Sequence, residues 1–348
     1  MDHQVKQRKK LTVDDYERGI LQGDRAILAQ AITLIESSLQ AHMEAAQTLL
    51  SRLIPKTGRS IRIGITGVPG AGKSTFIESL GNMLCNHGHR VAVLAVDPSS
   101  TITKGSILGD KTRMDSLSRN PNAFIRPSAS GGTLGGIARK TREAILLCEA
   151  ACYDVILVET VGVGQSEVTV RSMVDCFLLV MLTGAGDELQ GIKKGVMELA
   201  DAIIINKADG DNKIKALAAQ VEYNRILHFL KPPTPGWVSK AYTCSALEQV
   251  GIEEIWSMIK SFQQNTILSG FFRERRKKQR FDWMYCLVED HLKSSFFNHS
   301  AVQQNIFKIE LEVDKGTLTA TKAAKRLIEI FETGERGFVN ANYTAQTD

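Results

Sequence analysis

Nine consecutive residues narrow the possible folds of this chain more than anything else in it: Gly67, Val68, Pro69, Gly70, Ala71, Gly72, Lys73, Ser74 and Thr75. They fit the pattern G-x-x-x-x-G-K-[ST]. A β-branched run, Ile61–Thr66, precedes them, and a helical pattern, Lys73–His87, begins within them. A buried strand must therefore turn straight into a helix through a glycine-rich curl. Backbone N–H groups in such a curl point inward, and the helix N-terminus adds its dipole, so the loop is built to hold phosphate oxygens. In that setting Lys73 is positioned for the β- and γ-phosphates, and the Ser74 hydroxyl for Mg²⁺.

The remaining pattern agrees with an α/β layer structure. Short apolar runs at Arg90–Val96, Asp154–Glu159, Asp175–Leu182, Ala202–Ile205 and Ala241–Cys244 are largely continuous rather than alternating, as in strands buried on both faces. Helical patterns separate them at Leu134–Ala151, Gln190–Ala200, Asn212–Phe229 and Ile252–Phe262. Alternation of this kind predicts a doubly wound, mostly parallel sheet with helices on both faces. Residues 1–60 read as a helical extension, 61–265 as the nucleotide-binding core and 266–348 as a helical C-terminal region. Within the last, Phe281–Phe297 and Thr319–Phe331 read as helices, Ile306–Val313 fits either strand or helix, and the tail from Glu332 reads as loose.

Two further strand ends carry chemistry. Ile203–Ile205 runs into Asn206-Lys207-Ala208-Asp209, an N-K-x-D pattern. Asp209 can accept from guanine N1–H and N2–H₂, a donor pair that adenine lacks, and an unpaired buried carboxylate would penalise ATP. Lys207 can lie along the base, Asn206 can tie this loop to the phosphate loop, and Ser245-Ala246-Leu247 can offer a backbone N–H to guanine O6. The ligands expected are thus GTP and GDP with Mg²⁺. The run 154–159 ends in Glu159-Thr160-Val161-Gly162, an acid for the metal or the attacking water and a glycine whose N–H senses the γ-phosphate. Asp97 ends another strand, on the edge where open α/β sheets bind ligands, and is a second candidate for the Mg²⁺ shell. Ras-like GTPases place a Gln after the switch glycine. Here Val163 stands there, with Gln165 out of register, so slow intrinsic turnover is expected. Lys104, Lys111, Arg113, Lys193 and Lys194 are candidate cations to complete the site.

Composition excludes other classes. With a net charge of +5 and 43% hydrophobic residues, the chain is an ordinary globular one. No apolar run approaches the roughly 20 residues that cross a bilayer, and the polar N-terminus has no secretory character. Six scattered cysteines without a CxxC pair suggest free thiols and a cytoplasmic setting. Cys148 and Cys152, four apart, read as small apolar residues on one helix face. The basic run Arg273–Arg280 lacks interleaved aromatics, so it reads as a solvated helix face or linker rather than a nucleic-acid footprint.

Taken together, these segments resemble the MeaB/ArgK group, the methylmalonyl-CoA mutase-associated GTPases, once described as transport-system kinases for lysine, arginine and ornithine. The likeness rests on GVPGAGKST (67–75), VAVLAVDPSS (91–100), GSILGDKTRM (105–114), FIRPS (124–128), LGG (134–136), VETVGVGQSE (158–167), AGDELQGIKKG (185–195), INKADGDN (205–212) and CSAL (244–247). It implies a homodimeric G protein that binds methylmalonyl-CoA mutase, gates loading of adenosylcobalamin and protects the holoenzyme. It also implies a first switch at 105–114, a second at 159–167 and a third at 184–195, with Asp187 and Lys193 coupling the third to the mutase. Thr101–Lys104 departs from the family's usual proline and second glycine, which bears on the first switch and not on nucleotide binding. Two alternatives stand beside this reading. A transport-system kinase is disfavoured by N-K-x-D, and a metal-insertion GTPase by seven scattered histidines and no cysteine cluster.

Overall fold

The computed structural model describes residues 11–96, 114–127, 134–160, 166–183 and 194–343. Three N-terminal helices come first: α1 (Val13–Leu21), α2 (Arg25–Glu36) and α3 (Gln40–Leu53). The α/β part follows as β1 (Ile61–Gly67), α4 (Lys73–Asn86), β2 (Val91–Val96), α5 (Asp115–Arg119), β3 (Ala123–Arg126), α6 (Leu134–Ala150), β4 (Val155–Thr160), α7 (Ser166–Arg171), β5 (Cys176–Met181), α8 (Lys194–Met197), β6 (Ala202–Ile205), α9 (Asn212–Phe229), β7 (Lys240–Thr243) and α10 (Ile252–Leu268). Helices α11 (Phe271–Asn298), α12 (Ser300–Asp314) and α13 (Ala320–Tyr343) close the described chain. By contact density the chain forms two compact units that divide between Lys277 and Lys278.

The seven strands form one sheet in the order β3-β2-β4-β1-β5-β6-β7, and every pairing is parallel. Both faces are covered, as a parallel sheet requires. The strand period of two sorts side chains between them. Ile156 and Val158 of β4, with Ala92 and Leu94 of β2, pack with Leu28, Ile32, Leu49 and Leu53 of the N-terminal helices. Val155 and Leu157, with Val91 and Val93, pack on the other face with Phe76, Ile77 and Leu80 of α4 and Ile255 and Ile259 of α10. Each fully buried Leu, Ile or Phe contributes about 1.5–3 kcal/mol, so the N-terminal helices are held to the sheet by its own core.

Several local expectations are corrected. The edge strand β3, not among the strands expected from the sequence, is only four residues long and half-buried, too short to show a period. The ambiguous stretch 306–313 is helical within α12, and the tail is helical to Tyr343 through Gly334 and Gly337. Cys148 and Cys152 do not share a helix face. Cys148 is buried in α6, whereas Cys152 lies beyond the helix end at φ 62°. Tyr153 N–H donates to Cys148 O (3.0 Å) and Cys152 N–H to Glu149 O (3.0 Å), so Cys152 occupies the left-handed position of a helix-ending Schellman turn.

The basic run 273–280 is neither linker nor wholly solvated face. It lies inside α11, and Arg275 and Arg276 are turned into the amino-end edge of the sheet. Arg276 Nε and Nη2 donate to Asp175 Oδ1 and Oδ2 at 2.8 and 2.6 Å, and its guanidinium also reaches Gly58 O and Ser60 O at 3.0 and 2.7 Å. Arg275 donates to Asp175 O and Thr234 Oγ1. Beside them Arg62 clasps Glu149 at 2.9 and 3.0 Å, and Arg171 clasps Asp201 at 2.8 and 3.2 Å. Burial, with Arg171 close by, lowers the Arg275 pKa to about 10, still cationic at neutral pH. A helical apolar period would not have flagged these two arginines, because their partners are over forty residues away in sequence order.

Candidate nucleotide site

The phosphate loop leaves the carboxyl end of β1, in the middle of the sheet. Gly67 ends the strand, Gly72 caps α4, and Lys73 begins it. Gly72 has φ 80°, a left-handed conformation, and a Cβ there would lie 2.6 Å from the Asn206 amide nitrogen. Glycine is therefore demanded twice, by the backbone and by a neighbour. The Lys73 side chain curls back over the loop, its Nζ donating to Gly67 O (2.8 Å) and Val68 O (3.2 Å). That places a cation over the mouth of the curl, in reach of anything anionic that enters it.

Strand register sets the acid beside this loop. β4 pairs with β1 so that Glu159 stands opposite Ile65, and with β2 so that it stands opposite Ala95. Glu159 is buried, and the Ser74 hydroxyl donates to its Oε1 at 3.0 Å. The strand ends are tied again by Thr66 and Thr160, whose hydroxyl oxygens are 2.7 Å apart. A cavity of about 650 Å³ opens here, with Gly70, Lys73, Ser74 and Thr75 on the loop side and Glu159 and Lys207 among its walls. That volume is in the range of small-molecule sites, about 300–1,000 Å³.

Base-side residues arrive from β6 and β7. Asn206 is buried and bridges two loops: Nδ2 donates to Ala71 O (2.9 Å) and Gly72 O (3.4 Å), and Oδ1 accepts from Ala246 N–H (3.1 Å). The Cys244 thiol also faces Oδ1, at 3.6 Å, and burial lifts its pKa to about 12, so it stays a neutral donor. Asp209 accepts from the Ser245 hydroxyl at 2.6 Å, and Ser245 Oγ accepts in turn from Glu248 N–H at 3.1 Å. Lys207 takes a left-handed backbone, φ 60°.

Of the residues expected from sequence, Gly67–Thr75, Glu159, Asn206, Lys207, Asp209, Ser245 and Ala246 gather at the carboxyl edge of strands β1, β4, β6 and β7. Two details differ in kind. The Ala246 N–H donates to Asn206 Oδ1, and Leu247 is exposed. Asp97, Gly162, Asp187 and Lys193 lie outside the described residues, as do Lys104, Lys111, Arg113, Val163 and Gln165. Sequence reading missed Thr160, Val96, Thr183 and Asn212. The first two are wall positions that only strand register reveals.

A glycine-rich strand-to-helix loop at the centre of a doubly wound parallel sheet, with an acid from the neighbouring strand, defines a P-loop nucleotide hydrolase core. The family model for the methylmalonyl-CoA mutase-associated GTPase MeaB matches residues 28–301. GTPase ArgK of Escherichia coli is 46% identical over 322 residues, covering 92% of this chain and 97% of that protein. The mitochondrial methylmalonic aciduria type A homolog of mouse is 45% identical over 330 residues, covering 92% and 80%. A solved structure described as a LAO/AO transport system kinase superposes with a TM-score of 0.76 at 40% identity, covering 94% of this chain and 99% of that one. The chain belongs to the MeaB family of GTPases, and it is accordingly a nucleotide-hydrolysing enzyme that takes a guanine nucleotide.

Proposed function

We propose that this GTPase binds GTP with Mg²⁺ in the cavity between the phosphate loop and Glu159, hydrolyses it slowly, and serves as a G-protein chaperone for adenosylcobalamin-dependent methylmalonyl-CoA mutase. The observation that carries the nucleotide part is the Asn206 bridge, which brings N-K-x-D against the phosphate loop across one cavity. The oxygen donors fit a hard divalent ion: Ser74 Oγ and Glu159 Oε1 stand 3.0 Å apart, and Mg²⁺ favours such ligands. Ser74 and Glu159 would hold the ion, with Asp97, the residue that follows β2 in sequence, as a further candidate ligand. When bound, the ion supplies charge neutralisation at the β- and γ-phosphates.

In this reading the chain's own groups do three things. Lys73 exchanges its carbonyl partners for phosphate oxygens and stabilises charge there. Glu159 accepts from Ser74 and from water, orienting the hydroxyl and the nucleophile. Asp209, steadied by Ser245, accepts from the guanine edge. Gly162, Asp187 and Lys193 are proposed as switch residues that answer to the γ-phosphate and the partner. The family description and the name of the mouse relative support the partner.

Residues 61–265 are proposed as the GTPase domain, 1–60 as its helical extension and 266–348 as the dimerisation region. The exposed stripe Phe281, Met284, Val288 and Leu292 on α11, spaced three to four apart, supports a self-association role. The six free cysteines support a cytoplasmic setting. Among the described residues no helix is long and apolar enough to cross a membrane. Capture of a cobalamin-dependent mutase by this protein loaded with a non-hydrolysable GTP analogue tests the partner, and labelled γ-phosphate tests the chemistry. Release of label to water fits the proposal. Its transfer to an acceptor protein instead would establish the kinase alternative, to which the description of the solved relative corresponds.

A further inference from the structure

Lys207 is held in a conformation that a lysine does not choose. Its φ of 60° is left-handed, a region that disfavours a residue with a Cβ. That conformation turns its side chain back across the phosphate loop. Lys207 Cε lies 3.9 Å from where a Cβ on Gly72 would sit, and Lys207 forms one wall of the nucleotide cavity. In an extended conformation the chain direction would differ and the stem would leave the wall. Something must therefore hold the backbone of residue 207 against its own preference.

The neighbouring backbone is fixed on both sides. Asn206 N–H donates to Met181 O (3.0 Å) and Ala208 N–H to Cys244 O (2.9 Å). The carbonyl of Lys207 itself is caught by a side chain, the Asn212 amide, whose Nδ2 donates to it at 2.6 Å. Asn212 is the first residue of α9, so its backbone is rigid. Its amide is also oriented from the far side, because the Thr183 hydroxyl donates to Oδ1 at 2.5 Å. The Lys207 carbonyl can only accept, so the amide must present nitrogen to it and oxygen to Thr183. That fixes the flip chemically. None of this brace belongs to the N-K-x-D pattern, and Thr183 comes from the end of a different strand.

We infer that Asn212, oriented by Thr183, is a positioning residue that holds Lys207 in its left-handed conformation and so sets the wall on which the nucleotide rests. It touches no ligand and acts through Lys207. The inference rests on the reading of this cavity as the guanine-nucleotide site.

Asn212→Asp separates the two halves of the brace. The carboxylate still accepts from Thr183 and suits a helix N-terminus, but it cannot donate to the Lys207 carbonyl. The test measures GDP affinity, GTP KM and kcat, and nucleotide-free Tm on the full chain. Wild type is measured first, since failure of wild type to bind GDP or turn over GTP would sink the nucleotide-site reading itself. With wild type active, Asn212→Asp should raise GDP Kd and GTP KM by about tenfold, as loss of one hydrogen bond and a new oxygen–oxygen repulsion imply, with kcat held within about twofold. Thr183→Val should give a smaller rise and Thr183→Ser should return to wild-type affinity. The decisive comparison is Lys207→Ala against Asn212→Asp/Lys207→Ala: the two should bind GDP equally, since nothing is left for the brace to position. A wild-type KM in Asn212→Asp, or an Asn212→Asp effect that persists undiminished in the Lys207→Ala background, would overturn the inference. If Asn212→Asp does not fold, the Thr183→Val and Thr183→Ser pair decides by the same criterion, and equal affinity in both would overturn it.

Discussion

Gly70 and Gly72 offer a matched pair for testing how the phosphate loop and the base loop are joined. Their φ values are 81° and 80°, so alanine at either position carries the same left-handed cost, roughly 1–2 kcal/mol. Their surroundings differ. A Cβ on Gly70 meets nothing within 4 Å, whereas one on Gly72 would meet Asn206 Nδ2 at 2.6 Å. Asn206 would have to withdraw from Ala71 O, Gly72 O and the Ala246 N–H, at 2.9, 3.4 and 3.1 Å. Leaving such buried groups unpaired costs about 1–3 kcal/mol each. Allowing for relaxation, Gly72→Ala should cost the ligand-free chain about 2–4 kcal/mol more than Gly70→Ala, and it should also weaken GDP binding more, because the displaced Asn206 no longer ties the base loop to the phosphate loop. Fluorescence titration with a labelled GDP compares the two variants, and thermal melting without nucleotide separates causes. The clash exists in the ligand-free chain, so Gly72→Ala should also lower the nucleotide-free Tm more than Gly70→Ala. Equal Tm and equal affinity in the two variants would refute the claim that Asn206 joins the loops.

Other expectations follow from the same contacts. Lys73→Ala removes the cation that folds over the phosphate loop and should abolish measurable GTP turnover, read by phosphate release; wild-type turnover would contradict its assignment. Arg276→Ala leaves Asp175 buried with half its partners, and breaking such a pair costs about 3–5 kcal/mol, so a marked drop in Tm is expected. Replacing both partners, as in Arg276→Met with Asp175→Leu, should cost less, and an equal loss would argue against an ion-pair origin. Burial pushes the Glu149 carboxyl up, but Arg62, Ser60 and Arg276 together hold it below its ordinary value of 4.5. A depressed carboxylate contributes stability that is present above its unfolded pKa and lost as pH falls through the folded one. Stability should therefore fall on acidification below about pH 4.5, and Glu149→Gln should flatten that part of a Tm-against-pH curve while lowering Tm at neutral pH.

The nucleotide loop could be read from sequence because its chemistry is local. Gly67–Thr75 must supply a curl, a helix N-terminus and a lysine within nine residues, and no distant partner is needed to recognise it. The strands were legible for a similar reason, since burial on both faces forces continuous runs such as Val155–Val158. What escaped depends on contacts between distant segments. Arg275 and Arg276 look like surface charge until Asp175 and Asp201 are brought beneath them. Thr183 and Asn212 are ordinary polar residues until β5 and α9 place them 2.5 Å apart. The edge strand Ala123–Arg126 is half-exposed and short, so its pattern carries little signal.

Base selection by Asp209 is the claim on which the account most depends, and xanthine nucleotides test it most directly. Asp209 accepts from Ser245 and, in this reading, from the two guanine donors. Xanthine replaces the guanine amino group with a carbonyl, which an aspartate repels and an asparagine amide can serve. The measurement is the ratio of Kd values for GDP and xanthosine diphosphate, in wild type and in Asp209→Asn. Wild type should favour GDP strongly, and the substitution should shift the ratio toward xanthosine diphosphate by at least about 100-fold. A ratio unchanged by Asp209→Asn, or wild-type binding of ADP as tight as GDP, would contradict the account.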